Sequence, residues 1–330
     1  MISSPKKIVI SRTDSIGDVA LTLPLAGILK AKYPDAKIIF LGNIYTKPII
    51  KCSTSVDEVW EWAEIQKMED QHQLKWLVSQ NIDVFIHVFP RRELARLAKK
   101  AKIKHRIGTS HRLYHFLTCN HKPNFTRKNS DLHEAQLNTK LLTPFAINQD
   151  YSLNELSDLA KFSNLPTVNE NFQSLLNTAR KNLVFHCKSQ GSALEWGVDK
   201  FIELAKSLNQ NDYTIFFTGT EKESEFFRDK LPKQSNIIDL SGKMSLDQLI
   251  AFISESDLLL ACSTGPLHIA GLLNIKTIGL FTPQRPLHFG RWQPLGKHVE
   301  ILEEKEISER NQPLDISLRV VKKAIENSFL

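Results

Sequence analysis

Short β-branched runs alternate with helical stretches along this chain, stop once and then resume, and few folds accommodate such a pattern. Residues 6–11 read as a buried strand, a Gly-containing turn follows, an apolar helix runs to Tyr33-Pro34, and residues 37–41 form the next strand of a β-α-β unit. Further β-branched runs at 56–60, 82–88 and 105–107 are separated by helical stretches at 65–80 and 94–102. A parallel sheet with helices on both faces is therefore expected. From 148 to 182 the chain turns polar, with Pro166 and many Asn and Ser, and the domain connection is placed there. The alternation then restarts, with strands at 183–186, 214–218, 237–240, 258–261 and 277–280 and helices at 199–209, 221–230, 245–255 and 266–273. Residues 315–329 place Ile316, Val320 and Ala324 on one face and predict a packed closing helix.

The expected fold is α/β, with two Rossmann-like doubly wound parallel-sheet domains facing each other across a cleft. Their bounds are set at 1–165 and 166–312, with 313–330 as the closing segment. The length of 330 residues suits two ordinary cores, and 42% apolar with 24% charged residues is a globular composition rather than a disordered one. Cys52, Cys119, Cys187 and Cys262 are too widely spaced for a C-x-x-C metal or redox site, and a disulfide framework is not expected, which fits a reducing cytoplasm. No apolar h-region follows Lys6 and Lys7, so no secretory signal is expected. The most apolar stretch, 19–29, is too short to span a bilayer.

In such a fold the carboxyl ends of the strands carry the chemistry. The first loop, residues 11–18, follows the opening strand. Gly17 is expected to permit a tight turn, and Asp18, where a helix begins, either projects as a base or caps the helix. The loop lacks G-x-G-x-x-G, so no dinucleotide fingerprint is present. The second loop runs Cys262-Ser263-Thr264-Gly265-Pro266-Leu267-His268, with Pro266 opening a helix whose free N–H groups and dipole form an anion site. An ordinary Ser/Thr cap with His268 satisfied in the core is the structural alternative.

Ile8-Val9-Ile10 leading to Gly17-Asp18-Val19, Leu23-Pro24 and Tyr33-Pro34-Asp35, together with Ser263-Thr264-Gly265-Pro266-Leu267-His268-Ile269-Ala270 and Gly279-Leu280-Phe281, resemble glycosyltransferase family 9, the ADP-heptose:lipopolysaccharide heptosyltransferases. Ser241-Gly242 with Ser245-Leu246, and Arg291-Trp292-x-Pro294-Leu295-Gly296, extend the resemblance over nearly the whole chain. It implies a GT-B fold, an acceptor on the N-terminal domain, a nucleotide sugar, ADP-heptose, on the C-terminal domain, and inverting transfer with Asp18 as general base. No cofactor and no metal are implied, and no D-x-D occurs. Ser263, Thr264, Gly265 and His268 are expected at the donor's phosphates and sugar, and Thr218, Gly219, Ser241 and Leu246 around the nucleotide. Two positions depart from the family's pattern. Leu194 stands where a Lys commonly precedes the Trp, here Trp196, so Lys188 is expected to assist the leaving group; and Ser263 replaces a common Asp.

The formal charge of +7 is concentrated. Between Arg91 and Lys128 lie twelve Lys and Arg against one acid, Glu93, which leaves the rest of the chain at a net −4. Gly17, Arg91, Arg92 and Arg96 are assigned to an anionic glycolipid acceptor, with the enzyme cytoplasmic and peripheral at the inner membrane surface. Nucleic acid is not expected as a partner, because no nucleic-acid module surrounds the stretch. Other function classes for the same fold are a sugar-nucleotide epimerase or hydrolase, and a non-catalytic binder of anionic glycan or nucleic acid.

Overall fold

The computed structural model describes residues 1–128, 130–306 and 312–330. The chain forms two compact units, Met1–Asn164 and Leu165–Leu330. The first contains β1 (Lys7–Ser11), β2 (Lys37–Gly42), β3 (Glu58–Glu61), β4 (Val84–His87) and β5 (His105–Gly108), all parallel, in the order β3-β2-β1-β4-β5. Ile8, Val9 and Ile10 of β1 are fully buried because β1 lies mid-sheet with helices on both faces. Strand order reverses at β1, so the loop leaving its carboxyl end opens at a topological switch point.

The second unit repeats the plan with β6 (Lys181–His186), β7 (Tyr213–Thr218), β8 (Ile237–Asp239), β9 (Leu258–Cys262), β10 (Lys276–Phe281) and β11 (Val299–Glu303), ordered β11-β10-β9-β6-β7-β8 and all parallel. Here the switch falls between β6 and β9, whose ends register His186 against Ala261. Strand β11 had no counterpart in the sequence pattern. It follows a segment with a single short helix, Phe289–Trp292, and its own residues VEILE are half-exposed at the sheet edge.

Several elements differ from the pattern for identifiable reasons. The helix expected at 65–80 is two helices, Trp62–Gln66 and Asp70–Ser79. In one straight helix Trp62 and Ile65 would lie ~120° from Leu74 and Leu77; the break lets both pairs reach the same core. The helix expected at 221–230 stops at Ser224, where Phe226 and Phe227 supply no stripe of helical period, and continues as a 3-10 turn over Arg228–Lys230. The closing helix, Leu318–Asn327, buries Val321, Ala324 and Ile325, whereas Val320 is 49% exposed, so the packed face is rotated from the expected one. All four cysteines are buried thiols outside any disulfide. No helix among the described residues is long and apolar enough to cross a membrane.

Gly27 lies where the helix Leu23–Lys32 meets the C-terminal end of the helix Leu153–Leu159. A Cβ there would come within 1.8 Å of the Leu159 carbonyl oxygen, so only glycine admits the contact.

Candidate active site

The loop after β1 is held at its root by backbone bonds from Val88 and Phe89 to the Ser11 carbonyl, both 3.1 Å, and from Arg12 to the Leu41 carbonyl at 3.0 Å. It leads into the helix Ile16–Ala20, whose second residue is Gly17. Gly17 is helical, and positive-φ glycines occur elsewhere, at Gly191, Gly197 and Gly242, so the tight turn expected at Gly17 is not made there. Asp18 does not cap the helix. Its Oδ1 accepts from Arg12 Nη2 and its Oδ2 from the Ser15 hydroxyl, which leaves the carboxylate partly exposed.

Arg12 organises three carboxylates. Its side chain is 5% exposed, and it donates to Asp14 at 2.7 Å, to Asp18, and to Glu134 Oε1 at 3.3 Å. Burial works against its charge, but the carboxylates outweigh that cost and hold the guanidinium protonated. Glu134, 1% exposed, also accepts from Arg127 at 2.8 Å, and Arg127 reaches Asn138 at 2.9 Å. Burial, with the Asp18 charge adding to it against the pull of Arg12, raises the Asp14 carboxyl to about 6. Arg91 joins the loop by donating to the Thr13 hydroxyl and, at 3.0 Å, to the Thr13 carbonyl, while its guanidinium lies 5.2 Å from the Phe89 ring centroid. Arg92 and Arg96 line a different surface groove, beside Tyr114 and Leu117. Sequence reasoning missed Arg12, Asp14, Glu134 and Arg127; Arg12 and Asp14 stood within the loop already singled out, but Glu134 is 122 residues from Arg12 and carries no local signal.

In the second unit the candidate residues gather at the ends of β6 to β9. Thr264 precedes the helix Gly265–Leu272 without capping it, and its buried hydroxyl has no hydrogen-bond partner. The buried Ser241 hydroxyl, two residues beyond β8, is likewise unpartnered, although its backbone N–H bonds Asp239 at 2.9 Å. Ser263 and Gly265 are half-buried, and His268 is buried in the second turn of the helix. Thr218 is already engaged, with His186 Nδ1 3.1 Å from its hydroxyl. Gly219 and Leu246 are half-buried; the Gly219 carbonyl accepts from the Gly242 N–H at 2.9 Å. Lys188 does not stand free: its ammonium is 2.5 Å from Glu195 and 4.5 Å from the Phe226 ring centroid. Glu195, which the sequence reading passed over, also accepts from the Ser189 N–H and hydroxyl, both at 2.8 Å. Among the described residues no group of three or more His, Cys, Asp or Glu is placed to hold a metal ion.

Residues 73–315 match the profile of glycosyltransferase family 9 (heptosyltransferase), well over half of the chain. The chain belongs to glycosyltransferase family 9. Like its family it is a glycosyltransferase, and its two parallel-sheet domains are of the GT-B class. The lipopolysaccharide core heptosyltransferase OpsX of Haemophilus influenzae is 21% identical over 333 residues, covering 94% of this chain and 88% of that protein. A solved family 9 glycosyltransferase from Veillonella parvula superposes with a TM-score of 0.78 at 20% identity, covering 99% of this chain and 98% of that one. The Escherichia coli heptosyltransferase WaaC with ADP gives 0.73 at 18% identity, covering 98% and 99%. Within the family 9 chain, the acidic loop after β1 and the two unpartnered hydroxyls after β8 and β9 occupy strand carboxyl ends in separate units.

Proposed function

We propose that this family 9 enzyme transfers heptose from ADP-heptose to a lipopolysaccharide-core or related glycan acceptor, with inversion, and that Asp18 is the general base. The observation that carries the reading is the Asp18 carboxylate at the switch point of the first sheet, facing Arg12 and Ser15 rather than its own helix N-terminus. The Ser15 hydroxyl can rotate off Oδ2, and an acceptor hydroxyl then donates in its place. As the acceptor oxygen attacks the anomeric carbon its proton passes to Asp18, a new C–O bond forms, and the bond to the diphosphate breaks, releasing ADP.

The leaving diphosphate gathers negative charge, which preorganised donors must meet. The N–H groups at the start of the helix Gly265–Leu272, with the hydroxyls of Ser263 and Thr264, supply that charge complement, and His268 lies one turn on. Thr264 and Ser241 each bury a hydroxyl that a bound donor would satisfy, which supports their assignment to the phosphates and the nucleotide. Thr218, Gly219 and Leu246 complete the nucleotide side. Lys188 reaches the diphosphate by exchanging Glu195 for it, and Glu195 fixes it at the end of β6 beforehand. The reaction needs no resident metal. Gly17 and Arg91 sit with the acceptor, and Arg92 and Arg96 add to the field that draws an anionic glycolipid to the cytoplasmic side of the inner membrane. A nucleic acid is not a partner.

The test is Asp18→Asn, assayed for transfer from ADP-heptose. Loss of the base should lower kcat on the order of a hundredfold or more, while thermal stabilisation by ADP is kept. Unchanged turnover would remove Asp18 as base, and release of free heptose without acceptor would mark a hydrolase.

A further inference from the structure

The helix Leu113–Thr118 has the sequence LYHFLT, and it turns its apolar side chains outward. Leu113 is 89% exposed, Phe116 58% and Leu117 74%, whereas His115, on the opposite face, is fully buried. Spacings of three and four residues put Leu113, Phe116 and Leu117 on one face, a protruding apolar edge of three large side chains; elsewhere among the described residues such exposed side chains stand singly or, at Ile44 and Tyr45, as an adjacent pair. The helix packs beside the helix Arg92–Lys100, and between them lies a groove of about 360 Å³ lined by Arg92, Arg96, Lys99, Lys100, Tyr114 and Leu117. Arg112 precedes the apolar helix, and Lys122 lies 5.8 Å from the Phe116 ring centroid. Glu93, the one acid of the 91–128 stretch, is met by Gln66 and lines, with Arg96 and Lys100, the adjoining groove beside Trp62 and Asp70.

We infer that this face, the apolar edge of Leu113, Phe116 and Leu117 rimmed by Arg92, Arg96, Lys99, Lys100, Arg112 and Lys122, docks the enzyme on an anionic phospholipid bilayer. Charge complementarity selects the occupant. An apolar edge alone would suit another protein chain, but six cations around it repel a second copy and attract a surface dense in phosphodiesters. The apolar side chains enter the headgroup boundary while the lysines and arginines stay at phosphate level, which is how short amphipathic helices lie on membranes. The inference rests on the proposed membrane-held acceptor and adds to it the surface that makes the contact.

The experiment is co-sedimentation of the full chain with phosphatidylglycerol–phosphatidylethanolamine vesicles and, separately, with phosphatidylcholine vesicles. The anionic vesicles should bind at least tenfold more strongly. Lys99→Gln with Lys100→Gln should weaken that binding on the order of 30-fold at low salt, since each cation near an anionic surface is worth roughly fivefold. Leu113→Ser/Phe116→Ser/Leu117→Ser should cost roughly tenfold or more at any salt concentration, because the apolar contribution is not screened. Equal binding of both vesicle types, or unchanged binding by either variant, overturns the inference. So does a concentration-dependent dimer that the serine variant abolishes, or retention of the chain by RNA but not by vesicles. A deacylated acceptor fragment assayed in solution separates the two readings. If the serine variant glycosylates that fragment normally while losing vesicles, docking and chemistry are distinct functions; if the wild-type chain cannot glycosylate it, the acceptor assignment fails whatever the vesicles show.

Discussion

Glu134→Gln is the sharpest probe of the acidic loop. The side chain keeps its shape, so no cavity forms, but one charge disappears from a site where Arg12 and Arg127 both converge on Oε1, at 3.3 and 2.8 Å. With Glu134 1% exposed and the Arg12 side chain 5% exposed, solvent cannot replace the lost carboxylate for Arg12. Breaking a buried ion pair from one side costs about 3–5 kcal/mol. The half-exposed flank of Arg127 recovers part of its hydration, so about 3 kcal/mol is expected. For a unit of the size of Met1–Asn164 that corresponds to a fall in Tm of roughly 6–12 °C. Scanning calorimetry of the wild-type chain and of Glu134→Gln, Arg127→Met and the double variant measures it. The double variant should cost less than the sum of the singles by about 1–3 kcal/mol, because each single removes the same Glu134–Arg127 ion pair, which the double variant loses only once. Glu93→Gln, at an exposed helix position, serves as the control and should shift Tm little. A Glu134→Gln melting point within about 1 °C of wild type, or strict additivity with Arg127→Met, would refute the claim that a buried charge network holds this loop.

Three further outcomes are expected. Gly27→Ala gains about 1 kcal/mol of helix propensity but drives a Cβ into the Leu159 carbonyl, so the net effect should be a destabilisation of about 2 kcal/mol, read by thermal or urea unfolding; a neutral or stabilised variant would mean the two helices part readily. His87 is buried with neither ring nitrogen hydrogen-bonded, and burial lowers its pKa to about 3. The unfolded chain therefore takes up the proton first, and stability that is full above about pH 6.5 declines as pH falls toward 3, by about 2 kcal/mol at pH 5; His87→Phe should remove that part of the slope, and an identical pH dependence would exclude His87 as its source. Asp14, raised to about 6 by burial, gains a proton below that pH, which frees the Arg12 guanidinium to bind Asp18 more closely and weakens it as a base. The pH profile of kcat should accordingly show an inflection near 6 that Asp14→Asn abolishes, and persistence of the inflection in the variant would place it elsewhere.

The succession of strands and helices was legible because it depends on neighbours a few residues apart. The run of β1 through β2, the pairing of β6 to β10 with their helices, and the two loops at strand ends all follow from periodicity and from Gly and Pro punctuation. Edge strand β11 escaped notice because its alternation of Val, Glu and Ile is shared with many exposed segments. The closing helix was expected, but its face was not, since Val320 and Val321 are equivalent to any local pattern and only the core against Trp196 and Phe201 chooses between them.

At the site the division is similar. Asp18, Thr264 and Gly265 were marked by their place after strands, a property of the chain as written. What surrounds them was decided in three dimensions. Strand order brings Arg91 from beyond β4 onto Thr13, and the packing of the helix Glu134–Thr139 sets a carboxylate against Arg12. Lys188 likewise shows no sign in sequence that Glu195 will claim its charge. Secondary structure is written in short-range repetition, whereas a buried ion pair is favourable only once folding has removed water from both partners. That removal depends on which distant segments come to cover them.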